Sequence, residues 1–208
     1  AGRQTTLMSH DNKKTAAELL ELREQFVARG VFQVAQTVAA SAEGAALTDV
    51  DGKSYIDFAG GLGVANAGHC PPAVVKAIQE QSARMLHSCF HVAMYEGYIE
   101  LVKRLAEITP GDFPKKGMLA NSGAEAVEGS IKLARKYGKL HRNGAHEIIT
   151  AFDSFHGRTM MAVAATGQPH YQQIFQPVPA GFTHVNYNDL EALKAATTDR
   201  TVAILLEP

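Results

Sequence analysis

The sequence predicts an α/β fold with a mostly parallel sheet covered on both faces. Two observations carry that expectation. From Met118 onward, short apolar runs alternate with helical segments, the texture of strands joined by crossover helices. The run Val202-Ala203-Ile204-Leu205-Leu206 is continuously apolar, as a strand buried on both faces must be.

The elements follow in order. Residues 15–29 carry Ala17, Leu20, Leu22 and Phe26 at loosely helical spacing and are predicted to form an amino-terminal helix. Residues 45–48 and 54–58 flank Asp49-Val50-Asp51-Gly52, a hairpin signal. Gly60-Gly61-Leu62-Gly63 is predicted to be a flexible loop. Pro72 suits a first helical position, with Val75, Ile78, Ser82 and Met85 along one face. Tyr98, Leu101, Val102, Leu105 and Ile108 make a cleaner stripe, ended by Pro110-Gly111. Beyond it the pattern predicts strands over 118–120, 147–152, 183–186 and 201–206, and helices over 125–137, 159–165 and 189–196. No internal repeat or low-complexity segment is visible.

Composition narrows the function. The 208 residues are 46% hydrophobic and 20% charged, enough for a globular chain that buries roughly 70% of its extended surface. Twenty basic residues against twenty-one acidic ones leave a net charge of −1 with no basic run, which argues against nucleic-acid or anionic-membrane binding. Two cysteines make no disulfide framework, so reduced thiols in a cytosolic setting are expected. No apolar run approaches the ~20 residues of a bilayer span, and residues 1–24 lack the apolar core of a signal peptide. Met8-Ser9-His10 is a candidate natural start. The expectation is a soluble, cytoplasmic protein.

Three segments could carry chemistry. Asn121-Ser122-Gly123-Ala124-Glu125 lies between a predicted strand and a predicted helix. Ser122 with Glu125 has the spacing of a capping box, and Lys132, Arg135 and Lys136 would complement the helix dipole at the far end. Small residues at such a start let backbone N–H groups approach an anion; the plainer reading is a well-capped helix. The glycine spacing fits neither a Walker loop nor a dinucleotide fingerprint. Phe155-His156-Gly157-Arg158-Thr159 follows a predicted strand. Its aromatic could stack on a flat ring and its arginine could clamp a carboxylate, or it could be a surface loop. Glu207 closes the last strand at the strand end where α/β sheets bind ligands; alone it could equally be a surface acid. His69, His87 and His91 with Cys70 and Cys89 lack any zinc spacing and read as packing residues, so no metal is expected. There is no nucleophile elbow.

Taken together, Asp57-Phe58-Ala59-Gly60-Gly61, Gly68-His69-Cys70, the stretch Pro110-Gly111-Asp112-Phe113-Pro114-Lys115-Lys116, Asn121 to Glu128, Phe155 to Thr159 and Leu206-Glu207-Pro208 occur in one order. This resembles the amino-terminal half of the class III pyridoxal-phosphate aminotransferases, from about Gly44 onward. The resemblance implies an aspartate-aminotransferase-like fold (fold type I), incomplete here. Residues 1–66 would belong to a small α+β domain, and residues 67–208 to the first part of the large cofactor-binding domain. By resemblance, Ser122, Gly123 and Ala124 would bind the phosphate of pyridoxal 5′-phosphate. Phe155 would stack on its ring with His156 beside it, and Glu207 would lie near its phenolic edge. Arg158 would hold a substrate carboxylate, and Leu62 stands where ornithine aminotransferases carry a carboxylate-binding tyrosine.

The resemblance also implies a homodimer whose partners are an amino donor and a 2-oxo acid. Residues 59–128 look most like 4-aminobutyrate aminotransferases and residues 155–208 more like acetylornithine aminotransferases, through Ala165-Thr166-Gly167-Gln168-Pro169. The implied reaction is transamination from an ω-amino acid, 4-aminobutyrate first, to 2-oxoglutarate. The alternatives are an acetylornithine aminotransferase and a catalytically incomplete cofactor-binding fragment. No lysine matches the family's Schiff-base motif, so that lysine and the aspartate facing the pyridine nitrogen are expected beyond residue 208, and the 208 residues alone are expected to be inactive.

Overall fold

The computed structural model describes residues 14–208; the candidate start at Met8 lies outside the described residues. The backbone forms two compact units, one ending at Ala93 and one spanning Met94–Pro208. The division expected at residue 66 falls inside the first.

In the first unit, α1 (Ala16–Phe26) begins at a full capping box: Thr15 Oγ1 accepts the Glu18 N–H, and the Glu18 carboxylate accepts the Thr15 N–H at 2.8 Å. An antiparallel sheet of order β1-β2-β3 follows, with β1 (Ala39–Glu43), β2 (Ala46–Asp49) and β3 (Ser54–Ile56). The β2–β3 hairpin is the predicted one. The Asp49 carboxylate organises it by accepting the N–H groups of Asp51 and Lys53 and the Tyr55 hydroxyl at 2.8–3.1 Å. Strand β1 was not expected, because Ala-Ala-Ser-Ala-Glu carries no apolar alternation.

The predicted flexible loop at Gly60–Gly63 is instead an ordered single turn, α2, whose four residues all have positive φ (51°, 64°, 61° and 79°). Three glycines adopt that conformation freely, and Leu62 is carried along in a region costly for a bulky residue. The Asp57 carboxylate braces the turn through the N–H groups of Ala59 and Gly60 at 3.0 Å, and it pairs with His69 Nε2 at 2.7 Å. The His69 hydrogen bond, then the Gly60 N–H, hold the Asp57 carboxyl below its usual range. Helix α3 (Pro72–Arg84) starts at Pro72 as predicted.

The second unit holds α4 (Glu96–Ile108), α5 (Gly123–His141), β4 (Glu147–Ala151), α6 (Met160–Ala165), α7 (Pro169–Gln173), β5 (Phe182–Val185), α8 (Leu190–Ala196) and β6 (Thr201–Leu205). The three strands form a parallel sheet of order β5-β4-β6, so the parallel-sheet expectation is met. Two details differ. Residues 118–120 are not a strand, since no described strand lies beside them to complete a ladder. The doubly buried strand is β4, with Ile148, Ile149, Thr150 and Ala151 all buried, not β6. Successive residues point to opposite faces, so β4 is covered on both; β6 pairs on one side only and leaves Ile204 49% exposed. The core joins Ile148 of β4, Ile131 of α5 and Ala165 of α6. Burying each isoleucine side chain stabilises by about 1.5–3 kcal/mol.

Helix α5 runs farther than expected. Lys132, Arg135 and Lys136 therefore fall within it, and Lys139 and His141 occupy the last turn. Arg135 Nη2 instead donates to Ala180 O at 2.9 Å, with its guanidinium over the Phe182 ring.

Candidate active site

Parallel strands place their carboxyl ends together, and the predicted site residues of the second unit gather there. The first piece is the start of α5. Ser122 is the N-cap, and its hydroxyl accepts the Glu125 N–H at 3.2 Å. The reciprocal arm of the expected capping box goes elsewhere: the Glu125 carboxylate takes the N–H of Asn121, one residue earlier, at 2.7 Å. The N–H groups of Gly123 and Ala124 have no hydrogen-bond partner among the described residues. A Cβ built on Gly123 would meet nothing within 4 Å. Open space therefore lies over free amides at the positive end of a 19-residue helix, which is what an anion needs.

The second piece is the loop after β4. Gly157, at φ 125°, packs so closely on the helix start that a Cβ there would sit 2.8 Å from the Ala124 Cβ. Thr159 Oγ1 donates to Glu128 Oε1 at 2.6 Å and ties the same loop to α5. Below, the Thr166 hydroxyl accepts the His156 N–H at 3.0 Å while donating to Ala162 O at 2.9 Å. Ser154 donates to Ala151 O at 2.7 Å. The loop is thus held by side chains on α5 and at the end of α6.

Within it, Phe155 is 38% exposed and its N–H donates to Glu207 Oε2 at 2.7 Å. His156 is 6% exposed, and its Nε2 has no hydrogen-bond partner among the described residues. Burial pushes the His156 pKa down; the nearby Glu207 charge opposes this and His184 adds to it. The ring is therefore neutral at pH 7. Arg158 is exposed, and its guanidinium lies 5.9 Å from the Phe155 ring centroid and 5.4 Å from that of Tyr171.

Seven of the eight predicted site residues (Ser122, Gly123, Ala124, Phe155, His156, Arg158, Glu207) lie in this unit. The contacts Ala124–Gly157, Phe155–Glu207 and Phe155–Arg158 bring most of them together. Leu62 lies in the first unit, 89% exposed on α2. His87 and His91 fall in a non-helical stretch after α3 and share no helix face. Among the described residues no group of three or more His, Cys, Asp or Glu is placed to hold a metal, and no helix is long and apolar enough to cross a membrane. Sequence reasoning gave no separate role to Thr166, Thr159 or Glu128, which stand within the quoted motifs, and missed Tyr171, which stands in none and meets Phe155 and Arg158 only through folding.

A family model described as aminotransferase class-III matches residues 26–208. The chain is 47% identical over 168 residues to an acetylornithine aminotransferase of Methanocaldococcus jannaschii, covering 80% of this chain and 41% of that protein. It is 37% identical over 217 residues to a probable 4-aminobutyrate aminotransferase of Bacillus subtilis, covering 93% and 49%. The fold matches a crystal structure of the ornithine aminotransferase from Toxoplasma gondii with a TM-score of 0.84 at 27% identity, over 94% of this chain and 46% of that one. The chain thus spans less than half the length of the relatives it matches.

Proposed function

Because the chain belongs to the class III aminotransferase family, we propose that it supplies the phosphate cup and the carboxylate clamp of a pyridoxal 5′-phosphate-dependent transaminase acting on an ω-amino acid. The proposed donor is 4-aminobutyrate and the acceptor 2-oxoglutarate, giving succinate semialdehyde and glutamate. The Pro110 to Lys116 motif and the similarity to the Bacillus subtilis protein support that donor. Acetylornithine is the second reading, favoured by the 47% identity to the Methanocaldococcus jannaschii protein. A cofactor-binding fragment without turnover is the third.

The observation that carries the proposal is the packing of Gly157 on Ala124. It seats the loop that carries Phe155 and Arg158 against an open helix start with free amides. A planar, phosphate-bearing cofactor fits that arrangement: Gly123 and Ala124 would donate N–H groups to the phosphate, and the Ser122 hydroxyl can donate while still accepting from Glu125. Phe155 would cover one face of the ring, its backbone restrained by Glu207. Neutral His156 would offer Nε2 beneath. When bound, the cofactor supplies the electron sink that lets the proton on the amino-bearing carbon leave. Arg158 would grip the donor's distal carboxylate and so aim the amine at the reacting centre. Leu62 as an apolar substrate contact rests on the resemblance alone, as does the assignment of residues 1–66 to a small domain. We read the complete protein as a cytoplasmic homodimer that acts on small molecules rather than nucleic acid, a reading supported by the near-neutral charge of these 208 residues and by their free Cys70 and Cys89.

The test is Arg158→Ala in the complete protein. The Michaelis constant for a carboxylate-bearing donor is expected to rise about 10- to 100-fold, and that for a simple alkyl amine far less. Equal effects on both would refute the role.

A further inference from the structure

We propose that Tyr171 is a positioning residue for Arg158: its ring holds the guanidinium over the site, edge outward, to receive a carboxylate. The inference rests on the reading of Arg158 as the carboxylate clamp.

Three observations lead there. First, Arg158 lies over two aromatic rings, Tyr171 at 5.4 Å and Phe155 at 5.9 Å, within the range of a cation–π contact. The two rings also meet edge to face, with centroids 5.7 Å apart and an interplanar angle of 68°. Second, the guanidinium has no carboxylate or carbonyl partner among the described residues. A cation over ring faces keeps the N–H edge of its planar fork free, and that edge is what binds a carboxylate bidentately. Third, the short helix carrying Tyr171 is fastened to the site. Gln172 Nε2 donates to Thr166 O at 2.7 Å and to Ala164 O at 3.3 Å. Gln168 Nε2 donates to Ser154 O at 3.2 Å, in the segment leading into Phe155. Tyr171 therefore moves with the loop that bears Arg158.

The physical consequence concerns entropy. An arginine side chain free in water must lose many rotamers on binding a carboxylate, and a stacked one has lost part of that freedom already. Phe155 is committed to the cofactor ring in the proposed function, which leaves Tyr171 as the ring that steadies Arg158 in the loaded site. The contact is made by the ring face, so the Tyr171 hydroxyl is dispensable.

The experiment uses the complete protein with Tyr171→Leu, Tyr171→Phe, Arg158→Ala and the Arg158→Ala/Tyr171→Leu pair. Michaelis constants and turnover numbers are measured for 4-aminobutyrate and butylamine, and glutarate binding is measured by calorimetry as a readout independent of turnover. Tyr171→Leu is expected to raise the Michaelis constant for 4-aminobutyrate about 3- to 10-fold relative to butylamine and to weaken glutarate to match. Tyr171→Phe should stay within about 2-fold of the parent. On the Arg158→Ala background, Tyr171→Leu should add nothing. Should Tyr171→Leu not fold, judged by thermal melting, Tyr171→Met takes its place.

A Tyr171→Leu effect equal for both amines, or one that persists without Arg158, overturns the positioning role and leaves the clamp standing. A Tyr171→Phe loss as large as that of Leu overturns the ring-face contact. An Arg158→Ala protein that discriminates as the parent does overturns the clamp, and this inference with it.

Discussion

Glu207 Oε2 accepts the backbone N–H of Phe155 at 2.7 Å, joining residues 52 positions apart. The contact exists because β4 and β6 are parallel neighbours, so the residues just past their carboxyl ends meet. A carboxylate acceptor makes this bond stronger than a neutral pair would, and it restrains the backbone at Phe155.

Glu207→Ala in the complete protein is accordingly expected to loosen Phe155 and to weaken pyridoxal phosphate binding about 10-fold, as loss of a charged hydrogen bond implies. Glu207→Gln keeps an acceptor oxygen and should lose less. Fluorescence titration with the cofactor reads the difference. Identical affinities in Glu207→Ala and the parent would remove Glu207 from the site.

Gly138 sets propensity against packing. Alanine inside a helix is worth up to about 1 kcal/mol over glycine, which favours Gly138→Ala in α5. A Cβ there, however, would run into the Ala145 carbonyl oxygen and approach Val202 Cγ2 at 3.0 Å. Backbone cannot give way as a flexible side chain can. Gly138→Ala should therefore lower stability by about 1–3 kcal/mol, seen as a reduced melting temperature; a rise would mean that the helix end can move away from Ala145 and β6.

His156 makes stability pH-dependent. Its folded-state pKa is depressed by burial, so below its ordinary value of about 6.5 the unfolded chain takes up a proton that the folded one refuses. Stability is then complete above pH ~6.5 and falls as the pH drops beneath it, down to the depressed folded value. Denaturant unfolding at about pH 7.5 and 5.5, compared between the parent and His156→Gln, isolates this contribution. An unchanged slope in His156→Gln would assign the dependence to other groups.

The elements legible in the sequence were those with a local cause. Thr15 and Ser122 cap their helices, Asp49 builds its turn, and Pro72 opens α3, each through residues within four positions. The same holds for the open helix start at Gly123, where small residues and a cap are read directly from consecutive letters. The misses have a different origin. Strand β1 is paired only because β2 lies beside it, its own residues carrying no apolar alternation. Residues 118–120 have strand-like composition and no described strand beside them. Leu206 and Ile204 look like core in the sequence but are 54% and 49% exposed.

By itself the sequence determined the starts of α1, α3, α6 and α8, the hairpin and the parallel α/β texture, since caps, turns and periodicity act over a few residues. Only the tertiary structure decided that Gly157 touches Ala124, that Glu207 holds Phe155 and that Tyr171 lies over Arg158. Contacts between residues far apart in the chain depend on strand order and helix packing, which no local spacing encodes.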